Sequence, residues 1–409
     1  MYLISRRITC YLMMVFIVII INGCANRQTF EKAKIDPQTM ENFLADKPDL
    51  LKPYYRDLKE EKDRNAILNH MKIGKKAFEI GEFECAKSSF NIVRNDISSI
   101  YANNETAKKA RSLWYEEGIK RFRGEPYERA MAFYYSGLLF LKNGDYENAR
   151  ACFKSGIQQD AFAEEEQFRC DFALLIFLEA ISSRAAGDRH FAKDVLNELK
   201  KVRPNFELDI NKNSLVIVET GKSPRKLADG PGHSELKFRR GKKFYEKKVE
   251  IAINNNEFFP MFLMEDVYWQ AASRGGRPID KILEGQAIFR QTHSKVGSTL
   301  GDISSTAMIA APLFDNSGAI SSVSGAIGLI AVGNMAIAQN VRPHADTRYW
   351  DNLPDAVHIY MVDLPEGNNT LKFKFKDDQG RIIKDLKAIR SAQKVDSPLS
   401  VIWLSSRSL

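Results

Sequence analysis

The chain has 409 residues, a formal net charge of +8 and five cysteines with no Cys-x-x-Cys pair. That length supports two domains of ordinary size, and the cysteine spacing argues against a structural metal. Arg6 and Arg7 are the only charges in the first 24 residues, so the remainder keeps +6, without the clustered excess that a nucleic-acid binder needs.

Arg6-Arg7 precede an uncharged run from Ile8 to Ile21. The run is too short to span a bilayer as a helix, and a basic head followed by a short apolar stretch is the layout of an export signal. Ile21-Asn22-Gly23-Cys24 then resembles a bacterial lipoprotein box, which implies cleavage before Cys24 and lipid on its thiol and new amino terminus. Residues 1–23 are therefore expected as a signal peptide, and residues 24–50 as the lipidated cysteine and a polar tether. The alternative is a signal that merely contains a cysteine, or an uncleaved anchor. Ala25, where an Asp would retain the protein at an inner membrane, implies an outer-membrane location facing the periplasm.

Helical pattern runs with interruptions from about Pro53 to Val202. Tyr134 to Ala161 reads as two helices about a turn at Gly144-Asp145. Gly137, Phe140, Gly144, Tyr146, Ala149, Phe153 and Gly156 stand where the tetratricopeptide pattern has small, aromatic and turn residues. Gly74, Gly81, Phe83, Ala86 and Phe90 match upstream, and Ala180, Gly187, Ala192, Leu196 and Pro204 downstream. Residues 51–204 thus resemble tetratricopeptide repeats, spaced unevenly, with an extra helix expected over 105–122. A plain helical bundle is the alternative.

Carrying the repeat's register over, the positions that line the groove are Leu68, Met71 and Phe78, then Tyr134, Leu138 and Leu141, then Leu174, Phe177 and Ile181. All are apolar or aromatic. A groove of this kind takes an apolar or amphipathic helix, supplied by another envelope protein or by the chain's own second half.

Beyond Pro204 the period changes to two. Ser214–Glu219, Glu235–Arg240, Val249/Ile251/Ile253, Val357/Ile359/Met361, Leu371/Phe373/Phe375, Ile382-Ile383 and Leu399–Leu404 predict strands, with Gly241 at a hairpin turn. Helices are expected from about Met264 to Ser273 and from near Asp280. A stretch rich in Gly, Ala and Ser covers about 300–340. Within it, Ser317–Ala338 is expected as a close-packed helix, with membrane insertion as the alternative. Fold class is α+β: a helical repeat domain followed by a β-rich domain over 205–409 with inserted helices.

Tyr127-Glu128-Arg129-Ala130, Asn143 to Arg150, Glu265 to Gln270, Arg274-Gly275-Gly276-Arg277-Pro278 and Ala345 to Trp350 together resemble a family of tetratricopeptide-containing bacterial envelope lipoproteins. The resemblance implies location and architecture, and no assigned activity.

Chemistry-bearing motifs are few. Thr220-Gly221-Lys222-Ser223 lacks the earlier glycine of a phosphate loop, where Val216 stands, and reads as a turn. The six histidines are dispersed, and no Gly-x-Ser-x-Gly elbow occurs. No catalytic residue, cofactor or metal is expected. Lys237, Arg239, Arg240, Lys242, Lys243, Lys247 and Lys248 form the most basic stretch, interleaved with Phe238, Phe244 and Tyr245. It suits acidic head groups or cell-wall polymers, or is a solvated edge that blocks unwanted pairing. Two functions follow as expectations: an envelope-tethered adaptor that binds a protein partner through its repeats, or an accessory or enzyme acting on cell-wall or polysaccharide substrates through the β-rich domain.

Overall fold

Glycines at the three expected helix-hairpin turns set the pattern of the first half. Gly81, Gly144 and Gly187 have φ of +85°, +74° and +95°, the left-handed region that closes a helix at little cost only when no Cβ is present. The computed structural model of the chain describes residues 31–101, 121–160, 171–229, 235–241, 246–254, 256–273, 346–383, 388–393 and 398–408. Cys24, Lys242, Lys243, the expected helices near 105–122 and 280, and the segment around 300–340 with Ser317–Ala338 lie outside the described residues, save 121 and 122.

The described chain is mixed α and β, helices first. Helix α1 spans Pro37–Leu44, α2 Lys52–Ile80, α3 Phe83–Tyr101, α4 Pro126–Lys142, α5 Tyr146–Asp160, α6 Ala173–Ala185 and α7 Arg189–Val202. Helix α1 falls where a tether is expected: Asp36 caps it by accepting from the Thr39 amide, and Pro37 starts it. Hairpins α2–α3 and α4–α5 share one internal contact. A Cβ on Gly74 would meet the Phe90 ring at 2.9 Å, and one on Gly137 would meet the Phe153 ring at 2.3 Å. In both, the missing side chain lets the partner helix lay an aromatic ring against backbone.

The strands are β1 Ser214–Thr220, β2 Arg225–Asp229, β3 Glu235–Arg239, β4 Lys248–Ile253, β5 Phe259–Pro260, β6 Phe262–Asp266, β7 Ala356–Val362, β8 Asn368–Lys376, β9 Ala388–Gln393 and β10 Ser400–Ser405. A short helix, α8, covers Val267–Ala272. Three sheets result, ordered β10-β1-β7-β6, β2-β3 and β5-β4-β8-β9. In the first, β1 pairs parallel with β10 and antiparallel with β7.

From Ala33 onward these elements belong to one unit, built in layers. Leu215 and Ile217 of β1 join the core shared with the helices, whereas Val216 and Val218 join a second core with Val249, Ile251, Leu371, Phe373 and Phe375. The first sheet therefore lies between the helices and the β5-β4-β8-β9 sheet. Both faces of β1 are buried, which explains why Leu215–Val218 is a continuous apolar run instead of an alternating one.

Three expectations change, and one strand appears that the pattern did not predict. Met264–Asp266 is strand, and helix begins only at Val267, because an apolar run this short does not distinguish the two states. Gly241 makes no hairpin turn: it follows β3, and a Cβ there would strike Lys222 at 2.6 Å, so it is small for close approach. The segment Arg225–Asp229 is a strand paired with β3. Ile382 forms only an isolated bridge with Lys376.

Candidate functional site

All nine residues assigned to the groove are buried: Leu68, Met71, Phe78, Tyr134, Leu138, Leu141, Leu174, Phe177 and Ile181 sit in the core shared by the helices and the first sheet. The chain's own second half meets that core. Phe78 packs edge-on against Trp403 of β10, with ring centroids 5.0 Å apart. Phe177 meets Phe206 at 5.6 Å, and Phe206 in turn meets Phe262 of β6. Trp350, fully buried, lies 5.8 Å from Tyr135 and 6.2 Å from Phe90. A docking partner therefore reaches none of the nine side chains in this arrangement.

Charges stitch the same seam. Glu219, on the helix-facing side of β1, accepts from Tyr135 Oη of α4 at 2.9 Å and from Trp403 Nε1 of β10 at 3.0 Å. Lys75 of α2, wholly buried, ion-pairs with Glu79 and stands 3.6 Å from Glu219. Burial pushes the Glu219 carboxyl up, while Lys75, Trp403 and Tyr135 pull it down. A lysine buried in this way is tolerated only because carboxylates surround it.

A second knot forms at the start of α4. Lys226 of β2 donates to Glu128 at 2.8 Å and lies 3.3 Å from Glu125. Glu128 also accepts the Glu125 amide, closing a capping box, and its other oxygen accepts the Trp350 amide at 2.7 Å. A third knot centres on Glu265. A bulge between Leu263 and Glu265 shifts the β6 register so that Glu265 stands opposite Val357. It accepts from the Leu174 amide at the start of α6, from Gln270 at 3.1 Å and from Arg203 at 3.4 Å. Burial pushes its carboxyl up to about 8, against Arg203, Gln270 and that amide, which pull it down. Single-residue patterns do not show these partners, because each knot joins positions far apart in the chain.

The basic stretch is divided. Lys237 and Arg239 are exposed on β3, where Arg239 stands opposite Arg225. Arg240 turns inward to pair with Asp355 and Asp266 and lies 4.6 Å from the Tyr268 ring centroid. Lys247 pairs with Asp378 at 2.8 Å, and Lys248 is exposed on β4. Cys85 and Cys152 are free: Cys85 contacts Tyr55 Oη at 3.1 Å, and Cys152 accepts from Arg94 at 3.2 Å.

One open concavity, of about 540 Å³, lies where the α2–α3 turn meets the end of α4. Its walls include Phe83, Lys87, Arg94, Ser136, Phe140 and Lys142. The Arg94 guanidinium lies over the Phe140 ring at 5.5 Å and the Lys142 ammonium over Phe83 at 5.2 Å. Phe83 is 41% exposed, which is unusual for so large an apolar side chain beside cations. This volume falls in the range of ligand clefts, and its walls also include Glu82 and Glu84, so aromatic rings stand beside charges of both signs. The pairing of exposed Phe83 with Lys87 and Lys142 was not singled out from sequence, where Phe83 counts as a repeat aromatic. Among the described residues no three His, Cys, Asp or Glu side chains gather as metal ligands, and no helix is long and apolar enough to cross a membrane.

Comparison with protein families finds none that matches. No curated protein and no solved structure matches the chain either.

Proposed function

We propose that the protein is an adaptor of the bacterial cell envelope, tethered by lipid on Cys24, whose helices are tetratricopeptide-like and bind a protein partner on their outer side. The basic head, the short apolar run and Gly23-Cys24 support the tether. The repeat reading is supported by the turn glycines and by the glycine-on-aromatic contact common to the first two hairpins. One observation carries the choice of surface. The inner face of the helices is filled by the chain's own second half, whereas the cleft at Phe83, Phe140 and Lys142 is open. The partner segment that fits there is an amphipathic one with charges of both signs flanking an apolar anchor.

A photo-crosslinking amino acid placed at Asn91, which lines the cleft, tests this in cells against the same group at Lys200 on α7. A protein adduct formed from Asn91 and absent from Lys200 supports docking in the cleft. Equal yields, or none, reject it. In parallel, Cys24→Ser should abolish labelling by a fatty-acid probe, and retained labelling ends the tether.

A further inference from the structure

Among the described strands, every sheet edge is guarded except one. Strand β5 is two residues long and ends in Pro260. Strand β6 carries the bulge and closes on Glu265 and Asp266. Strand β9 holds Arg390, and β2 and β3 are charged along their length. Shortness, proline, bulges and charge are the devices that keep an edge from pairing with another chain. Strand β10, Ser400–Ser405, has none of them: its six residues include no charge and no proline, and its register with β1 is unbroken. It ends the first sheet, so one row of its backbone N–H and C=O groups bonds to β1 and the other row faces away. Among the described residues no second strand pairs with it, and Val401, Ile402 and Trp403 are only partly buried.

The side chains of this edge fit a copy of themselves. A two-fold axis perpendicular to a sheet sets two identical strands antiparallel and keeps each side chain on its own face, so residues of matching face meet. With the axis at Ile402, Val401 of each copy stands opposite Trp403 of the other on the helix-facing side, and Ile402 stands opposite Ile402 on the side of the second core. An aromatic ring directly opposite a β-branched chain is among the favourable cross-strand pairs. Trp403 is already fixed, because Glu219 accepts from its indole N–H and Phe78 packs edge-on against it. Little side-chain freedom is then lost on association. An unrelated strand shares only the main-chain bonds, whereas self-pairing adds two contacts of Val401 with Trp403 and one of Ile402 with itself.

We infer that β10 pairs antiparallel with β10 of a second copy of this chain, about a two-fold axis at Ile402, so that the two first sheets become one. This pairing is separate from the lipid tether and from the cleft at Phe83.

Full-length chain carrying Cys24→Ser, in detergent, is the parent for the test. On the axis, two side chains at position 402 face each other at a separation that a disulfide spans. Under mild oxidant, Ile402→Cys should give a species of doubled mass on a non-reducing gel. The parent, which keeps the other cysteines, and Leu263→Cys on β6, where Leu263 is 45% exposed, should not. Ile402→Lys sets two ammonium groups against each other and should raise the dissociation constant on the order of a hundredfold in sedimentation equilibrium. Ile402→Val should leave that constant close to the parent's. Circular dichroism monitors folding; if Ile402→Lys fails to fold, Ile402→Cys treated with iodoacetate after folding carries a charge to the same place, with the treated parent as control. A parent that sediments as monomer throughout, or a dissociation constant unmoved by the charge, overturns the inference. So does absence of the doubled species from Ile402→Cys, or an equal yield from Leu263→Cys.

Discussion

Tyr135 of α4 donates its hydroxyl proton to Glu219 of β1 across 2.9 Å, and both side chains are buried. This bond joins the helices to the first sheet, together with Lys75 and Trp403. Tyr135→Phe should cost about 1–3 kcal/mol, because it leaves a buried carboxylate short of a donor. Lys75→Met should cost more, about 3–5 kcal/mol, by leaving Glu79 and Glu219 uncompensated. Urea denaturation followed by far-ultraviolet dichroism and by tryptophan fluorescence checks both. The two signals should fall together in wild type, since Trp350 and Trp403 sit at the seam.

Buried polar residues in the core make a second test. Tyr134→Asp and Phe177→Asp each put a carboxylate at a fully buried position of the core. Each should destabilise by more than about 4 kcal/mol and abolish the thermal transition. A transition that survives while a crosslinked partner is lost would return the inner face to the role of a binding groove.

His358 of β7 sits between the two larger sheets, where burial holds its imidazole down to about 4, with Nε2 3.3 Å from the Lys247 carbonyl. The folded state thus keeps it neutral over a range in which the unfolded chain, titrating near 6.5, takes up a proton. Its contribution is whole above that value and is lost as pH falls toward 4, at up to about 1.4 kcal/mol per pH unit. His358→Leu should flatten the acid limb of a melting-temperature profile across that window.

Glu265 acts in the opposite sense. Its folded value, raised to about 8 from 4.5, means that the folded state holds a proton that the unfolded state releases. Stability from this group is whole below about 4.5 and declines as pH rises through 8, again by up to about 1.4 kcal/mol per unit. Replacing it, Glu265→Gln, should remove that slope between pH 5 and 8, which calorimetric scans in a buffer series would show as a flatter profile.

Glycines of two kinds should respond differently. Gly137→Ala drives a methyl into the Phe153 ring and should cost about 1–3 kcal/mol through overpacking. Gly144→Ala meets open space, and its cost of about 1–2 kcal/mol comes from backbone at positive φ. Gly144→Asn should recover much of the second loss and Gly137→Ser none of the first, as urea midpoints would report.

Local signals carried most of the element order. Gly81, Gly144 and Gly187 mark turns because the requirement for positive φ is written in one residue, and the alternation of Leu371, Phe373 and Phe375 needs no neighbour to be read. What covers an apolar face is a different matter. Leu68, Tyr134 and Phe177 show only that something apolar lies against them, and the occupant, the chain's own second half, is set by contacts across the whole sequence. Lys75 looks like an ordinary solvated helix residue until β1 brings Glu219 to it. Similarly, Arg225–Asp229 becomes a strand only because β3 supplies a partner, and Glu265 depends on a bulge that no periodicity reveals.

The pairing of β1 with β10 also governs the order of events during synthesis. The first strand made after the helices runs parallel to the last, so its edge stays open until residue 405 has left the ribosome. Pairing over so great a separation is slow to close, and an uncovered edge meanwhile invites association with other chains. The helices emerge long before Trp403 can reach Phe78, so their apolar inner face stays uncovered until β10 follows.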